Sequence, residues 1–139
     1  MSASTDSTIK LWNIGASASG AADQGTQQVA KQGPAMSYTG HVNEKHFVGL
    51  SVTSDGYIAC GSERSRAYCY YRSFPKPVAS HRLDPRADAW AAPPASHQPE
   101  EEEDPQATSA FVSSVCWSQK NHVLLAASSI GGIEVIQLA

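Results

Sequence analysis

Apolar and polar residues alternate along several short runs of the chain, a pattern typical of β-strands. In STIKLWNI, residues 7–14, Ile9 and Leu11 face one way while Lys10 and Trp12 face the other. Comparable runs follow as FVGLSV, YIACGS, AYCYYR, PVASHRL, FVSSVCW, HVLLAAS and IEVIQL. Since no segment has a helical period, the pattern predicts an all-β protein.

Turn-forming residues separate these strands and group them into two meanders. Residues 54–56 read Ser-Asp-Gly and residues 131–132 read Gly-Gly, which are sequences favoured in hairpin turns. Both meanders open with Phe-Val, and the second strand of each ends in small residues. They therefore look like two copies of one repeat, and residues 1–14 look like the end of an earlier copy.

Two stretches without large apolar side chains interrupt the repeats. Residues 15–36 are rich in Gly, Ala, Ser and Gln, and residues 84–109 combine five prolines with an acidic run at 100–104. Neither stretch buries enough apolar surface to offset the entropy lost on ordering, so we predict a flexible loop and a disordered insertion. The acidic run is either a solvated spacer or a dock for a basic partner.

These interruptions predict the organisation of the whole chain. Residues 1–14 form the end of one repeat, and residues 37–83 form the outer strand of that repeat followed by a complete repeat. Residues 110–139 form a last repeat without its outer strand.

Composition and charge narrow the classes of function. The 139 residues carry a formal net charge of -3, which argues against nucleic-acid binding because phosphate neutralisation needs a basic surface. No run of about 18 apolar residues predicts a membrane span, and the N-terminus lacks the pattern of a secretory signal. The odd count of three cysteines without a C-x-x-C pair predicts free, buried thiols in a reducing, intracellular compartment.

Candidate chemistry is sparse. The sequence contains no G-x-S-x-G, no Gly-rich phosphate loop and no H-E-x-x-H, so we expect a non-catalytic chain. Carboxylates and cysteines do not stand at metal-ligand spacing from the scattered histidines, which are His46, His81, His97 and His122. We therefore expect no metal and no cofactor.

Three short motifs resemble the marks of WD40 β-propeller blades: Ser4-Thr5-Asp6, Leu11-Trp12-Asn13 and Gly40-His41. In that family a His, a Ser or Thr, an Asp and a Trp form a hydrogen-bonded network within each blade. The resemblance implies that Ser4, Asp6, Trp12 and His41 take these structural roles here. In the complete repeat Arg64 and Tyr70 stand in the places of the Asp and the Trp, so the network is predicted to be broken there and apolar packing to hold the blade.

A longer segment, HVNEKHFVGLSVTSDGYIACGSE at 41–63, resembles the C-terminal propeller of the plant constitutive-photomorphogenesis ubiquitin ligase and its partners, the suppressor-of-phytochrome-A proteins. The segments YYRSFPKP and FVSSVCW resemble the second group, the suppressor-of-phytochrome-A proteins, more than the first. This resemblance implies a C-terminal fragment of a propeller, with the end of one blade, one whole blade and most of the last blade.

The resemblance also implies a function. It predicts a substrate-receptor module of a ubiquitin-ligase complex, in the nucleus, the cytoplasm or both, that binds Val-Pro-type peptides of light-signalling regulators. The expected partners are transcription factors, photoreceptors and ligase subunits. Glu44 and Phe47 are the main peptide-binding candidates, and Lys45 and His46 are weaker ones. The alternatives are that Phe47 is core of the first strand and Glu44 a solvated charge, and that the chain is a scaffold or propeller remnant without a competent ligand site.

Overall fold

The computed structural model describes residues 1–13, 33–83 and 110–138. These residues form ten β-strands and no helix, which confirms the all-β prediction. The strands are β1 (Ser2–Ser4), β2 (Thr8–Leu11), β3 (Met36–Tyr38), β4 (Leu50–Val52), β5 (Tyr57–Ser62), β6 (Arg66–Tyr71), β7 (Ala79–Arg82), β8 (Val112–Trp117), β9 (Val123–Ser128) and β10 (Ile133–Gln137). In this part of the chain nothing has the length and apolar character of a membrane-spanning helix.

The strands form three antiparallel sheets. The first sheet has the order β1-β2-β3, the middle sheet β4-β5-β6-β7, and the last sheet β8-β9-β10. Each sheet is a meander of sequential neighbours, which is the arrangement of a propeller blade. The middle sheet has four strands, and the other two sheets have three each.

Hairpin geometry follows the local sequence. Gly56 has a φ of 98°, and Gly131 and Gly132 have φ values of 95° and 86°, so these glycines supply the left-handed backbone that the turns require. Arg64 and Ser65 also have positive φ, 60° and 52°, as in a type I′ turn. The β5–β6 hairpin therefore forms without a glycine in its turn.

Some strand boundaries differ from those predicted. The run FVGLSV forms a strand only over Leu50–Val52, because the chain at Gly49 turns its N–H to the Ser113 carbonyl of the last sheet, 3.0 Å away. At the other end of the predicted loop 15–36, Met36 already belongs to β3 and pairs with Leu11 of β2. Residues 15–32 and 84–109, which carry the two predicted insertions and His97, lie outside the described residues.

The core lies between the sheets, because the two faces of the middle sheet pack against different neighbours. In β5, Ile58 and Cys60 face the first sheet, whereas Ala59 faces the last sheet, as the two-residue period of a strand requires. The first interface consists of Ile9, Tyr38, Ile58, Cys60 and Tyr70, and the second is built mainly from Ala59, Ala67, Cys69, Val112, Trp117 and Leu124.

The middle and last sheets approach so closely that their backbones are in contact at Gly49 and Gly61. A Cβ atom added to Gly61 would collide with the carbonyl oxygen of Val112, and one added to Gly49 would lie 2.6 Å from the Val115 nitrogen. Only glycine fits at these positions, since any side chain would force the sheets apart. The second interface is therefore fixed by small residues as much as by apolar area.

The three cysteines are free, but they differ in exposure. Burial raises the pKa of Cys60 to about 12 and that of Cys69 to about 11, so both thiols stay protonated at neutral pH. Cys116 is exposed on β8, which corrects the prediction that all three thiols are buried. Cys116 stands between the buried Val115 and Trp117, so it lies on the opposite face of β8, which is exposed.

Candidate functional site

The predicted peptide-binding residues lie in the loop 42–48 that leads into β4. This loop lies beside the β1–β2 hairpin of the first sheet, and a cleft of about 260 Å³ separates them. The cleft is lined by Ala3, Ser4, Thr5, Asn43, His46, Phe47 and Val48. Apolar and hydroxyl-bearing side chains thus face each other across the junction of two sheets.

Phe47 is 97% exposed at the edge of this cleft. It precedes β4 by three residues, and its ring leaves the sheet instead of entering the core. The alternative that Phe47 is a core residue of the first strand is therefore wrong. A fully solvated aromatic ring next to an apolar wall is a feature that a ligand or partner can cover.

The other three candidates are placed differently. His46 is half-buried and lines the cleft, with its ring stacked on Phe111 at a centroid distance of 4.0 Å. Glu44 and Lys45 are exposed and do not line the cleft, so they stand at its rim. The structure thus brings His46 and Phe47 together in the cleft and leaves the two charged side chains in solvent.

Asn43, which no sequence motif indicates, connects the loop to the first sheet. Its backbone N–H donates to Ser7 Oγ at 2.8 Å, and its side-chain Nδ2 donates to the Ser4 carbonyl at 3.3 Å. Asn43 is 3% exposed, and its Oδ1 finds no donor among the described residues. A polar residue in a charged loop motif gives no sequence sign of such burial.

Glu63 was also missed, although it has the densest set of contacts to the loop. One carboxylate oxygen, Oε1, accepts the backbone N–H groups of Glu44 at 3.0 Å and Lys45 at 2.9 Å. The same oxygen lies 3.4 Å from His46 Nδ1. Nothing in the local sequence indicates this role, because Glu63 and the loop are separated by the whole of β4 and β5.

The first-sheet residues of the predicted blade network have partners close in sequence. Trp12 Nε1 donates to Ser2 Oγ at 2.9 Å, whereas the resemblance implied this kind of role for Ser4. Ser4 Oγ instead accepts the Asp6 N–H at 3.4 Å. Strand register explains the difference, since Ser2 lies opposite Lys10, two residues from Trp12, whereas Ser4 lies opposite Thr8, four residues from Trp12.

Asp6 organises the β1–β2 turn. Its carboxylate accepts the Thr8 N–H at 3.1 Å and the Thr8 hydroxyl at 2.6 Å, and Lys10 Nζ lies 3.3 Å away. The Thr8 hydroxyl is the main reason that the pKa of Asp6 falls from 3.8 to about 2. These partners are exposed, so Asp6 acts here as a surface turn residue.

His41 has a polar partner in the middle sheet, contrary to the prediction of a broken network. The Tyr70 hydroxyl accepts the His41 backbone N–H at 3.1 Å and lies 2.9 Å from His41 Nδ1. Ser62 adds a second link, because its Oγ accepts the Val42 N–H and donates to the Val42 carbonyl, both at 2.9 Å. The middle blade therefore keeps a hydrogen-bonded network with Tyr70 in the place of the tryptophan.

Two further histidines in the described part of the chain, His81 and His122, make pairs at the sheet boundaries. His81 Nε2 lies 2.8 Å from Glu134, and His122 Nε2 lies 3.0 Å from Asp55, each pair joining the middle and last sheets. In the part of the chain that the structure describes, no group of three or more ligating side chains could hold a metal ion.

Comparison with known proteins extends the resemblance to nearly the whole chain. No family model matches it. Over 138 residues, 99% of the chain, it is 40% identical to Protein SUPPRESSOR OF PHYA-105 1 and 38% identical to E3 ubiquitin-protein ligase COP1, both of Arabidopsis thaliana. It is also 31% identical, over 97% of its length, to WD repeat-containing protein RUP2 of the same plant. The chain is a partial WD40 β-propeller.

The similarity covers only a small part of these relatives. The WD40 segment spans 12% of the length of SUPPRESSOR OF PHYA-105 1, 16% of COP1 and 30% of RUP2. The resemblance to the suppressor-of-phytochrome-A and COP1 proteins is confirmed, and identities of 38–40% with the first group are consistent with the predicted lean towards it.

Proposed function

We propose that this WD40 segment is part of a non-catalytic protein-interaction module in a ubiquitin-ligase complex. Its relatives supply the context, since one of them is named an E3 ubiquitin-protein ligase and others are SPA1-related proteins. The module would hold a peptide of a partner protein while other parts of the complex carry out ubiquitin transfer. We propose transcription factors, photoreceptors and ligase subunits as partners, in the nucleus, the cytoplasm or both.

The peptide class we propose has a Val-Pro core. The observation that carries this proposal is the 97% exposure of the Phe47 ring beside the cleft. A proline ring and a valine side chain would cover the Phe47 ring and the neighbouring Val48 side chain, which removes apolar surface from water. Glu44 at the rim would pair with a basic residue that flanks the core.

The positions of Phe47 and Glu44 determine how much each side chain is expected to contribute to the peptide affinity. An aromatic anchor that is desolvated on binding contributes about 2 kcal/mol or more, roughly thirtyfold in affinity, whereas a rim charge contributes less and is screened by salt. We therefore expect Phe47→Ala to abolish measurable peptide binding. We expect Glu44→Ala to weaken it by a smaller factor that shrinks further at high salt.

The test uses a completed propeller, defined as a propeller in which this chain replaces the aligned 138 residues of a curated relative. Calorimetric titration with a Val-Pro peptide compares the parent, Phe47→Ala and Glu44→Ala, and circular dichroism checks each fold. Phe74→Ala is the matched control, because Phe74 is also exposed, at 56%, but follows β6 at the opposite end of the middle sheet. If Phe47→Ala binds the peptide with parental affinity and its fold is intact, Phe47 is not part of the binding site. The hypothesis of a scaffold without a ligand site would then replace the receptor hypothesis.

A further inference from the structure

One half-buried carboxylate contacts several residues of the loop that carries Phe47. Glu63 directly follows β5, and its side chain is 18% exposed. Its Oε1 accepts two successive backbone N–H groups, those of Glu44 and Lys45, and lies close to the ring of His46. Three consecutive residues immediately before Phe47 therefore converge on one oxygen atom.

Such convergence favours a negative charge on Glu63. Successive backbone N–H groups that point to one spot form an anion-binding concavity, and hydrogen bonds to a carboxylate are stronger than those to a neutral acceptor. Burial is the largest single influence and opposes ionisation, but the N–H donors of Glu44 and Lys45 and the contact with His46 together outweigh it, so the pKa of Glu63 is lowered. The contact therefore persists in its charged form at neutral pH.

Neighbouring contacts fasten the same loop to two sheets. The Glu63 backbone N–H donates to the Val42 carbonyl at 2.8 Å, and Glu63 pairs with Phe111 as an isolated bridge between the middle and last sheets. His46 stacks on that same Phe111 ring, with an interplanar angle of 14°. Residues 42–46 are thus anchored on both sides, and Glu63 takes part in both anchors.

Phe47 itself has no comparable anchor. Because its side chain is 97% exposed, packing against other side chains does not fix where the ring points. The position of the ring then depends on the backbone of residues 44–46. An anchor residue that is already in place when the ligand arrives saves the ordering entropy that binding would otherwise cost.

We propose that Glu63 is a positioning residue for the peptide site: its carboxylate holds the backbone at 44–45 and thereby presents Phe47 to the ligand. This inference rests on the proposed function, since it concerns the same cleft. Glu63 need not touch the ligand, because its effect passes through the loop. Truncating it releases the backbone at 44–45, and the affinity falls although Phe47 and Glu44 are both still present.

The experiment combines two measurements on the completed propeller. Hydrogen exchange reports the protection of the Glu44 and Lys45 amides, and calorimetry reports the affinity for a synthetic Val-Pro peptide. The variants are Glu63→Ala, which removes the acceptor, and Glu63→Gln, which keeps a neutral oxygen acceptor of similar reach. Asp55→Asn is the matched control, because Asp55 also contacts a histidine, His122, but at the opposite end of β4 and β5.

In Glu63→Ala we expect both amides to exchange about tenfold faster and the peptide affinity to fall roughly tenfold, since a hydrogen bond to a charged group is worth about that much. Glu63→Gln should lie between Glu63→Ala and the parent in both measurements, and Asp55→Asn should match the parent. If circular dichroism shows that Glu63→Ala does not fold, Glu63→Gln decides.

Two results would overturn the role of Glu63 and leave the proposed function standing. One is unchanged exchange of the Glu44 and Lys45 amides in the Glu63 variants, and the other is faster exchange of these amides with parental peptide affinity. A parent propeller that does not bind the peptide at all overturns the proposed function and this inference with it. The two failures are therefore distinguishable.

Discussion

The hydroxyl of Tyr70 lies 2.9 Å from His41 Nδ1 and also accepts the His41 backbone N–H at 3.1 Å. Burial lowers the pKa of His41, against the opposing charge of Asp6, and burial raises the pKa of Tyr70. Both side chains are therefore neutral at neutral pH, and the phenol oxygen accepts the backbone N–H while it shares a hydrogen bond with the ring Nδ1. One phenol thus fixes both the backbone and the ring of His41 at the entrance to the middle blade.

Tyr70→Phe should destabilise the propeller by about 1–3 kcal/mol, because it leaves the buried N–H and Nδ1 of His41 without their partner. The ring of Tyr70 stays, so its packing against Tyr38 is preserved. Urea denaturation of the completed propeller measures the change. Tyr71→Phe is the control, since the Tyr71 hydroxyl bonds to no described residue, and an equal shift in both variants would contradict the role of Tyr70.

Gly61→Ala should destabilise the contact between the middle and last sheets by about 1–3 kcal/mol, the usual cost of overpacking. The added Cβ would meet the Val112 carbonyl oxygen, which is backbone and cannot rotate away. Gly33→Ala is the matched control, because a Cβ there has nothing within 4 Å. Thermal unfolding of the two variants should show a lower Tm for Gly61→Ala only, and similar Tm values would refute the close approach.

The β1–β2 turn should depend on pH through Asp6. Because the pKa of Asp6 in the folded state is about 2, below its ordinary 3.8, its hydrogen bonds favour the folded turn fully above 3.8. This contribution is lost as the pH falls through the interval from 3.8 to about 2. The Thr8 amide chemical shift in an acid titration should follow that interval and lose the dependence in Asp6→Asn. If the Thr8 amide shift instead titrated with a midpoint at 3.8, the ordinary pKa of Asp6, the turn geometry would be contradicted.

The 139-residue chain expressed alone should self-associate. No described strand pairs with the outer edge of β1 or β10, and the outer face of the last sheet exposes Leu125 at 46%, Ile133 at 68% and Val135 at 69%. Unpaired edges and exposed apolar faces both promote aggregation. Light scattering should detect oligomers that decrease in Val135→Lys, whereas a monodisperse parent that unfolds cooperatively would count against this expectation.

Local pattern was enough to predict most of the strands, because each is a short run with a two-residue period between turn-forming residues. YIACGS became β5 at its predicted bounds, Tyr57–Ser62. The short motifs around Trp12, Gly40 and Phe47 were enough to indicate the propeller family. These features are encoded by residues close in sequence, so no knowledge of the packing was needed.

Contacts between distant segments decided the rest. The sequence could not show that Tyr70 would bind His41, 29 positions away, or that Glu63 would hold the loop before Phe47. It could not place Ser2 instead of Ser4 against Trp12, or separate exposed Cys116 from buried Cys60, because register and the neighbouring sheet determine which face is covered. Composition and period determine that a strand forms, whereas the packing of one sheet against the next determines which of its side chains remain available for a partner.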